Sequence, residues 1–351
     1  FDQLLREIHN ENPDSTLLVN LSSGTPAMKS ALNVISVLAQ YPMQAVQVST
    51  PNRRENPKDE DPKDYDVETF WECNQDNEAD FNNRCHEVKG EHLLVKIKKE
   101  SIRRLLDAYD YKAALLLAQD IADFIPENTM SMLRAAECRL QLDQRGYAKA
   151  MQGIDHKFQP IEMGDQRQLF EYVLSLQIKM QQGNYSDFLR GLTPVVLDLF
   201  EMCLKDQLKI TPEQFCYKTN IGAYRISADV MLKSEVGKKI MHALQQGFGD
   251  LNIKEEFIGS MPIMKIFEQM SSNTELVDDL HRMRAVESDV RNVAAHEIVS
   301  VTDDWIFRKT KMHAEDIMKL QKRLVIYAGV KAKNEYWNSY SDMNRVIAEN
   351  L

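Results

Sequence analysis

The segment Arg291-Asn292-Val293-Ala294-Ala295-His296 combines two side-chain types that could break an RNA phosphodiester without a metal ion. Histidine titrates near neutral pH and so can orient a 2′-hydroxyl or move its proton. Arginine stays charged and can meet the negative charge that grows on the phosphate oxygens. Val290, Val293, Ala294 and Ile298 supply the apolar positions of a helix. On a regular helix Arg291 and His296 point roughly 140° apart, whereas Asn292 and His296, four residues apart, share a face. One helix thus offers an Asn–His pair with a long arginine beside it, which is less than a complete site. Two such helices facing each other across a two-fold axis would complete it, so a symmetric homodimer is expected. Taken by itself, the string also fits a surface arginine and an unrelated helix-face histidine.

A second place with chemistry is Asn20-Leu21-Ser22-Ser23-Gly24-Thr25-Pro26, where a strand hands over to a helix. Thr25 is a good N-cap and Pro26 a good first helical residue. The first turn would then present free backbone N–H groups and the positive end of the helix dipole to an anion. Gly24 allows close backbone approach, and Asn20, Ser22 and Ser23 add hydrogen-bonding groups. The candidate ligand is a nucleotide or phosphodiester; an ordinary capped strand–helix turn is the other reading. Ser49 and Thr50, ending the next strand, would face the same crevice; a simple strand terminus is the other reading. A P-loop lysine and a GxGxxG are both missing, which disfavours nucleoside triphosphate hydrolysis and dinucleotide binding. The sequence has no HExxH, CxxC pair or GxSxG elbow, and Cys73 with Cys85-His86 lacks zinc spacing. No resident metal or cofactor is expected. His156, His242, His281 and His313 are scattered and read as structural.

The elements that must position these residues fall into two kinds. Residues 16–21 are an apolar run of strand length, 27–40 an amphipathic helix ended by Tyr41-Pro42, and 43–48 an alternating strand. Strand, tight loop, helix and strand within about 33 residues make a βαβ crossover and so a parallel sheet. Residues 52–66, with two prolines and many charges, read as loop, and 92–98 (HLLVKIK) as a closing strand. Beyond residue 100 helical stripes follow one another at 101–124, 129–142, 165–182, 186–207, 212–232, 234–246, 261–285, 288–299 and 311–349. A Rossmann-like domain needs more strands than these before residue 100, and the sequence opens inside a helix. Its first strand and other N-terminal segments are therefore expected to lie outside the sequence, or gaps within it to have been closed up by the numbering.

Composition narrows the function classes. The 351 residues are 43% hydrophobic and 27% charged, which suits a folded globular protein of two or three domains. No apolar run is long enough to span a membrane, and five scattered cysteines read as reduced thiols in a cytoplasmic setting. A formal net charge of −10 argues against stable DNA binding or a broad nucleic-acid surface, so RNA would be met locally.

The stretch NLSSGTPAMKSAL resembles the ligand loop of CARF domains, the Rossmann-like sensors of type III CRISPR systems, and RNVAAH resembles the Arg-x4-6-His motif of HEPN ribonucleases. The order of the two, joined by helices, is similar to that of the Csm-type ancillary ribonucleases. The resemblance implies a partial Rossmann-like CARF domain over 1–98, a helical connector over 99–185 and a helical HEPN domain over 186–351: α/β followed by all-α. It implies that Asn20, Ser22, Ser23, Gly24 and Thr25 bind a cyclic oligoadenylate activator, six-membered ahead of four-membered. Arg291, Asn292 and His296 of two subunits would then cleave single-stranded RNA, leaving a 2′,3′-cyclic phosphate and a 5′-hydroxyl. Degradation of the activator in the CARF pocket would need in-line geometry at Thr25 or Asn20. Two other readings stay open: a non-catalytic nucleotide sensor acting through a partner protein, and a nucleotide-dependent α/β enzyme with a helical cap.

Overall fold

The computed structural model describes residues 1–49, 66–74, 77–81, 83–88, 91–162, 164–250, 255–296 and 300–351; at 291–296 only the backbone is described. The chain divides into two compact units, 1–102 and 103–351. The family class expected from the resemblance, α/β followed by all-α, is what these units have.

The first unit runs α1 (Asp2–Glu11), β1 (Leu17–Asn20), α2 (Pro26–Leu38), β2 (Met43–Val48), α3 (Val67–Glu72), β3 (Cys85–Glu87) and most of α4 (Glu91–Asp107), which continues past the division at residue 102. β1 and β2 are parallel with Leu17 opposite Met43 and Asn20 opposite Val46, as the crossover requires. β3 joins the other edge of β2 antiparallel, with Val46 opposite Glu87, so the sheet is mixed where a purely parallel one was expected. Residues 92–98 correct the expectation of a closing strand: they lie in α4. Val95, Ile102 and Leu106 fall on one helical stripe and are buried. The strand-like LLV is continued by lysines, glutamate, arginines and leucines, all good helix formers, and the longer element wins.

The second unit begins α5 (Tyr111–Gln119), α6 (Glu127–Leu140), α7 (Gln144–Ala150), α8 (Asp165–Gln181), α9 (Tyr185–Gln207). Next come β4 (Cys216–Lys218), β5 (Tyr224–Ile226), α10 (Ala228–Met231), α11 (Glu235–Phe248) and α12 (Ser260–Met270). It closes with α13 (Thr274–His296), α14 (Asp303–Thr310), α15 (Ala314–Tyr327) and α16 (Ser339–Glu349). The stripe expected over 212–232 is instead a hairpin and a short helix. Phe215, Tyr217, Tyr224 and Ile226 are strand formers, and Gly222 takes φ +85° in the turn between them. The helix break expected near residue 286 lies at Ser271–Asn273, where the Asn273 side chain accepts from the Leu276 amide at 3.1 Å. The stripe at 311–349 resolves into α15 and α16.

α13 is the element that matters for chemistry, and its anchorage is extensive. Leu276, Leu280, Met283, Val286 and Val290 recur at helical spacing and are all at most 1% exposed, packed toward α9 and α15. Each such side chain contributes about 1.5–3 kcal/mol by leaving water. Asp279 of α13 accepts both arms of Arg323 of α15, at 2.7 and 2.6 Å. Glu287 accepts from Ser260 of α12 at 2.9 Å.

A second buried tie joins α6, α8 and α16. Arg139 donates to both Glu171 oxygens at 2.8 and 3.0 Å and to Ser339 Oγ at 2.8 Å, with its guanidinium 4.0 Å from the centre of the Tyr340 ring. Neither charged side chain is exposed. Arg139→Met would strand a buried carboxylate and is expected to cost about 3–5 kcal/mol. Thermal unfolding should show the double variant Arg139→Met/Glu171→Met more stable than Arg139→Met alone; a double variant that is worse would contradict this account of the pair.

An acidic cavity of about 960 Å³ is lined by Asp165, Asp198, Glu201, Asp206 and Glu213 among others. Burial, helped by the negative charges of Asp198 and Glu213, pushes the Glu201 carboxyl up to about 7 from its usual 4.5. Because the folded state holds this proton more tightly, its stabilising effect is complete below pH 4.5 and is lost as the pH rises towards 7. Partial solvent access reduces the effect to about 1 kcal/mol. Glu201→Gln is therefore expected to raise the melting temperature at pH 8 by about 2–4 °C and far less at pH 5. An equal shift at both pH values would contradict it.

Candidate functional site

The strand–helix loop of the first unit is held by its own side chains. The Asn20 carboxamide oxygen accepts the Ser22 amide at 2.8 Å, an Asx turn that folds the chain away from β1. Ser22 Oγ accepts the Val48 amide at 2.7 Å, tying the loop to the carboxyl end of β2. Thr25 caps α2 through the Met28 amide at 3.3 Å, and Pro26 follows as the first helical residue. Gly24 sits at φ +106°, a conformation that side chains with a Cβ rarely adopt.

This arrangement leaves donors for a ligand. Among the described residues, the Ser23, Gly24 and Thr25 amides donate to no protein acceptor, and all three residues are exposed. They lie at the N-terminus of α2, the positive end of its dipole. Ser22 and Thr25 use their hydroxyl oxygens as acceptors, which leaves each hydroxyl hydrogen to give. Asn20, Ser22, Ser23, Gly24 and Thr25 are thus brought together as one loop. Ser49 lies at the same sheet edge, its amide bonded to the Arg84 carbonyl at 3.0 Å; Thr50 lies outside the described residues.

Two cations at this edge were not singled out from the sequence. Lys29 Nζ donates to the Ser22 carbonyl at 2.8 Å, which keeps its ammonium over the loop. The Arg84 guanidinium donates to the Ser49 carbonyl at 2.8 Å, at the end of β2. Lys29 could have been found, since it stands four residues after the N-cap and so returns to the same helix face. Arg84 could not, because no local pattern links it to the loop before β3 is known to pair with β2. The edge therefore combines free amides, hydroxyls and two cations, which is a chemistry for phosphate-bearing ligands.

In the second unit, 291–296 form the last turns of α13. The backbone places Asn292 and His296 one turn apart, with Arg291 one residue before; their side chains lie outside the described residues. The other histidines of this unit have local structural partners. His313 Nδ1 lies 2.7 Å from Asp303, His281 Nε2 lies 3.0 Å from Glu268, and His156 stacks on Phe158. His242 Nε2 lies 3.5 Å from Gln246 of its own helix. Among the described residues, no helix is long and apolar enough to cross a membrane.

Comparison with known proteins finds three family models in chain order. The Cas_Csm6 CARF domain matches residues 1–85, the CRISPR-associated protein Csm6 6H domain 88–140, and the Cas_Csm6 HEPN domain 158–348. Among curated proteins, the CRISPR system endoribonuclease Csm6 of Mycobacterium tuberculosis is 30% identical over 325 residues, covering 92% of this chain and 74% of that protein. Csm6′ of Streptococcus thermophilus is 30% identical over 210 residues, 60% of this chain and 51% of that protein. Among solved structures, Enterococcus italicus Csm6 bound to cyclic hexa-2′-fluoro-hexa-dAMP aligns with a TM-score of 0.70 at 17% identity, covering 99% of this chain and 78% of that one.

Proposed function

The chain belongs to the Csm6 family of CRISPR-associated proteins, and on that premise we propose that it is an endoribonuclease switched on by a cyclic oligoadenylate. The observation that carries this reading is α13: a helix locked into the core by five buried apolar residues runs without a break through 291–296. A rigid helix can hold a reacting group to the tolerance catalysis needs.

In this reading His296 orients the 2′-hydroxyl and handles its proton, Arg291 meets the charge of the phosphorane, and Asn292 fixes the histidine or the substrate by hydrogen bonding. The substrate is single-stranded RNA, whose 2′-hydroxyl is itself the nucleophile. The bond it forms to phosphorus and the bond lost to the 5′-oxygen give a 2′,3′-cyclic phosphate and a 5′-hydroxyl, with no metal ion needed. The site is composite, with Arg291, Asn292 and His296 from both members of a homodimer in the cytoplasm. Residues 1–98 sense the activator, 99–185 connect, and 186–351 cut.

The activator phosphates meet the Ser23–Thr25 amides, the Ser22 and Thr25 hydroxyls, and Lys29 and Arg84; Asn20 is left for a base or ribose. The Enterococcus italicus relative was solved with a six-membered ring, which favours hexa- over tetra-adenylate here. Opening of the ring at the same loop would end the signal: a ribose 2′-hydroxyl held beside Thr25 or Asn20 would attack its own 3′-phosphorus, and the 5′-oxygen would leave and take up the proton. Mass spectrometry of the fragments tests the chemistry: 2′,3′-cyclic phosphate and 5′-hydroxyl ends are expected, and 3′-hydroxyl with 5′-phosphate ends would overturn it.

A further inference from the structure

The hairpin of the helical unit carries an exposed surface that neither loop nor helix explains. β4 and β5 pair antiparallel with Cys216 opposite Ile226 and Tyr217 opposite Arg225. The segment around Phe257 continues the ladder on the far side of β5. The Ile226 amide donates to the Glu256 carbonyl at 2.9 Å, the Ile258 amide donates to the Tyr224 carbonyl at 3.1 Å, and Arg225 bridges Phe257. Residues directly opposite one another share a face, so Tyr217, Arg225 and Phe257 form one row across three strands. Cys216 and Ile226, on the other face, are 3% and 2% exposed, which turns the row outward.

The row alternates aromatic, cation, aromatic. Phe257 is 55% exposed and Tyr217 37%, and the Arg225 guanidinium lies 5.0 Å from the Phe257 ring centre. Flat aromatic faces on an open sheet, interleaved with guanidinium, are what unpaired bases stack on. A protein partner is the weaker fit, because a stable protein interface needs about 800 Å² on each side and this row is three side chains wide. Neighbouring strands lie about 4.8 Å apart, so the two rings are spaced along the row as separate base platforms.

We propose that Tyr217, Arg225 and Phe257 form a stacking platform for unpaired bases of the RNA substrate, binding the strand away from the residues that cut it. The identity of the strand as RNA substrate rests on the ribonuclease reading. The probe is therefore a fully 2′-O-methylated single-stranded oligonucleotide, which has no 2′-hydroxyl to react. Its affinity for the full chain is read by fluorescence anisotropy, and 5-bromouracil positions in it serve for photocrosslinking.

Stacking on one aromatic side chain strengthens binding roughly tenfold, so Tyr217→Ala/Phe257→Ala should raise Kd by roughly 10–100-fold, while Tyr217→Trp keeps the parent affinity. Crosslinks should map to Tyr217 or Phe257 in the unmodified chain, a readout that stands even if the alanine variants melt early. Unchanged affinity in a folded double variant, or crosslinks only elsewhere, would overturn the platform and mark the row as a protein-docking face. Because the probe cannot be cut, the two readings fail separately. Binding at the row without cleavage of ordinary RNA sinks the ribonuclease and spares the platform; cleavage with unchanged affinity does the reverse.

Discussion

His296→Ala is expected to lower activator-stimulated RNA cleavage about 10³-fold, the scale of removing a general acid–base group, and to leave activator binding as it was. Arg291→Ala should cost a similar factor, and the double variant little more than either, because groups that act as one unit are not additive. The composite site adds a sharper consequence. If both subunits contribute to one site, an excess of His296→Ala chains should poison the parent by forming mixed dimers, so activity falls faster than the parent's share of the mixture. Cleavage measured across such mixtures checks this, after time for subunits to exchange. Activity that falls only in proportion to the parent would mean each subunit cuts alone.

The second large effect lies in the loop of the first unit. Gly24→Val forces a β-branched residue into φ +106°, a strain of about 1–3 kcal/mol. The Cβ itself is not the obstacle, since the nearest atoms it would meet belong to Met28, at 3.6 Å and beyond. What suffers is the backbone path that sets the directions of the Ser23, Gly24 and Thr25 amides. The activator concentration for half-maximal cleavage should rise by roughly tenfold or more, on the basis that 1.4 kcal/mol is a factor of ten in affinity. Cleavage at saturating activator should recover. A variant with normal activator response would remove this loop from the binding site, and one that stays dead at saturation with a folded first unit would give the loop another role.

What could be read from the sequence follows from how local each signal was. β1, α2 and β2 were legible because Leu17–Asn20, Thr25-Pro26 and the alternation at 43–48 each carry their own pattern. The Asn20–Thr25 loop was legible for the same reason, since capping chemistry spans only a few residues. α4 was misread because LLV in isolation suits a strand as well as a helix; only its longer continuation decides. The hairpin at 216–226 was not legible because the spacing of its apolar residues also fits the helical stripe expected over 212–232, and the φ +85° turn at Gly222 has no local signal strong enough to break it. Arg84 was out of reach for a different reason: its place beside Ser49 depends on β3 pairing with β2, a tertiary fact. For 291–296 the helix itself was legible, whereas its continuity back to Thr274 was not, because the break at Ser271–Asn273 is made by one capping asparagine.

In the proposed function a cyclic nucleotide controls a cut that needs no metal. The most direct measurement incubates the full chain with a fluorogenic single-stranded RNA in EDTA, alone and with cyclic hexa-adenylate, cyclic tetra-adenylate or linear oligoadenylate. Cleavage should be slow alone, rise strongly with a ring, respond to the hexamer at the lower concentration, and persist in the chelator. A rate indifferent to every ring, or one that vanishes in EDTA and returns with a divalent metal, would contradict it.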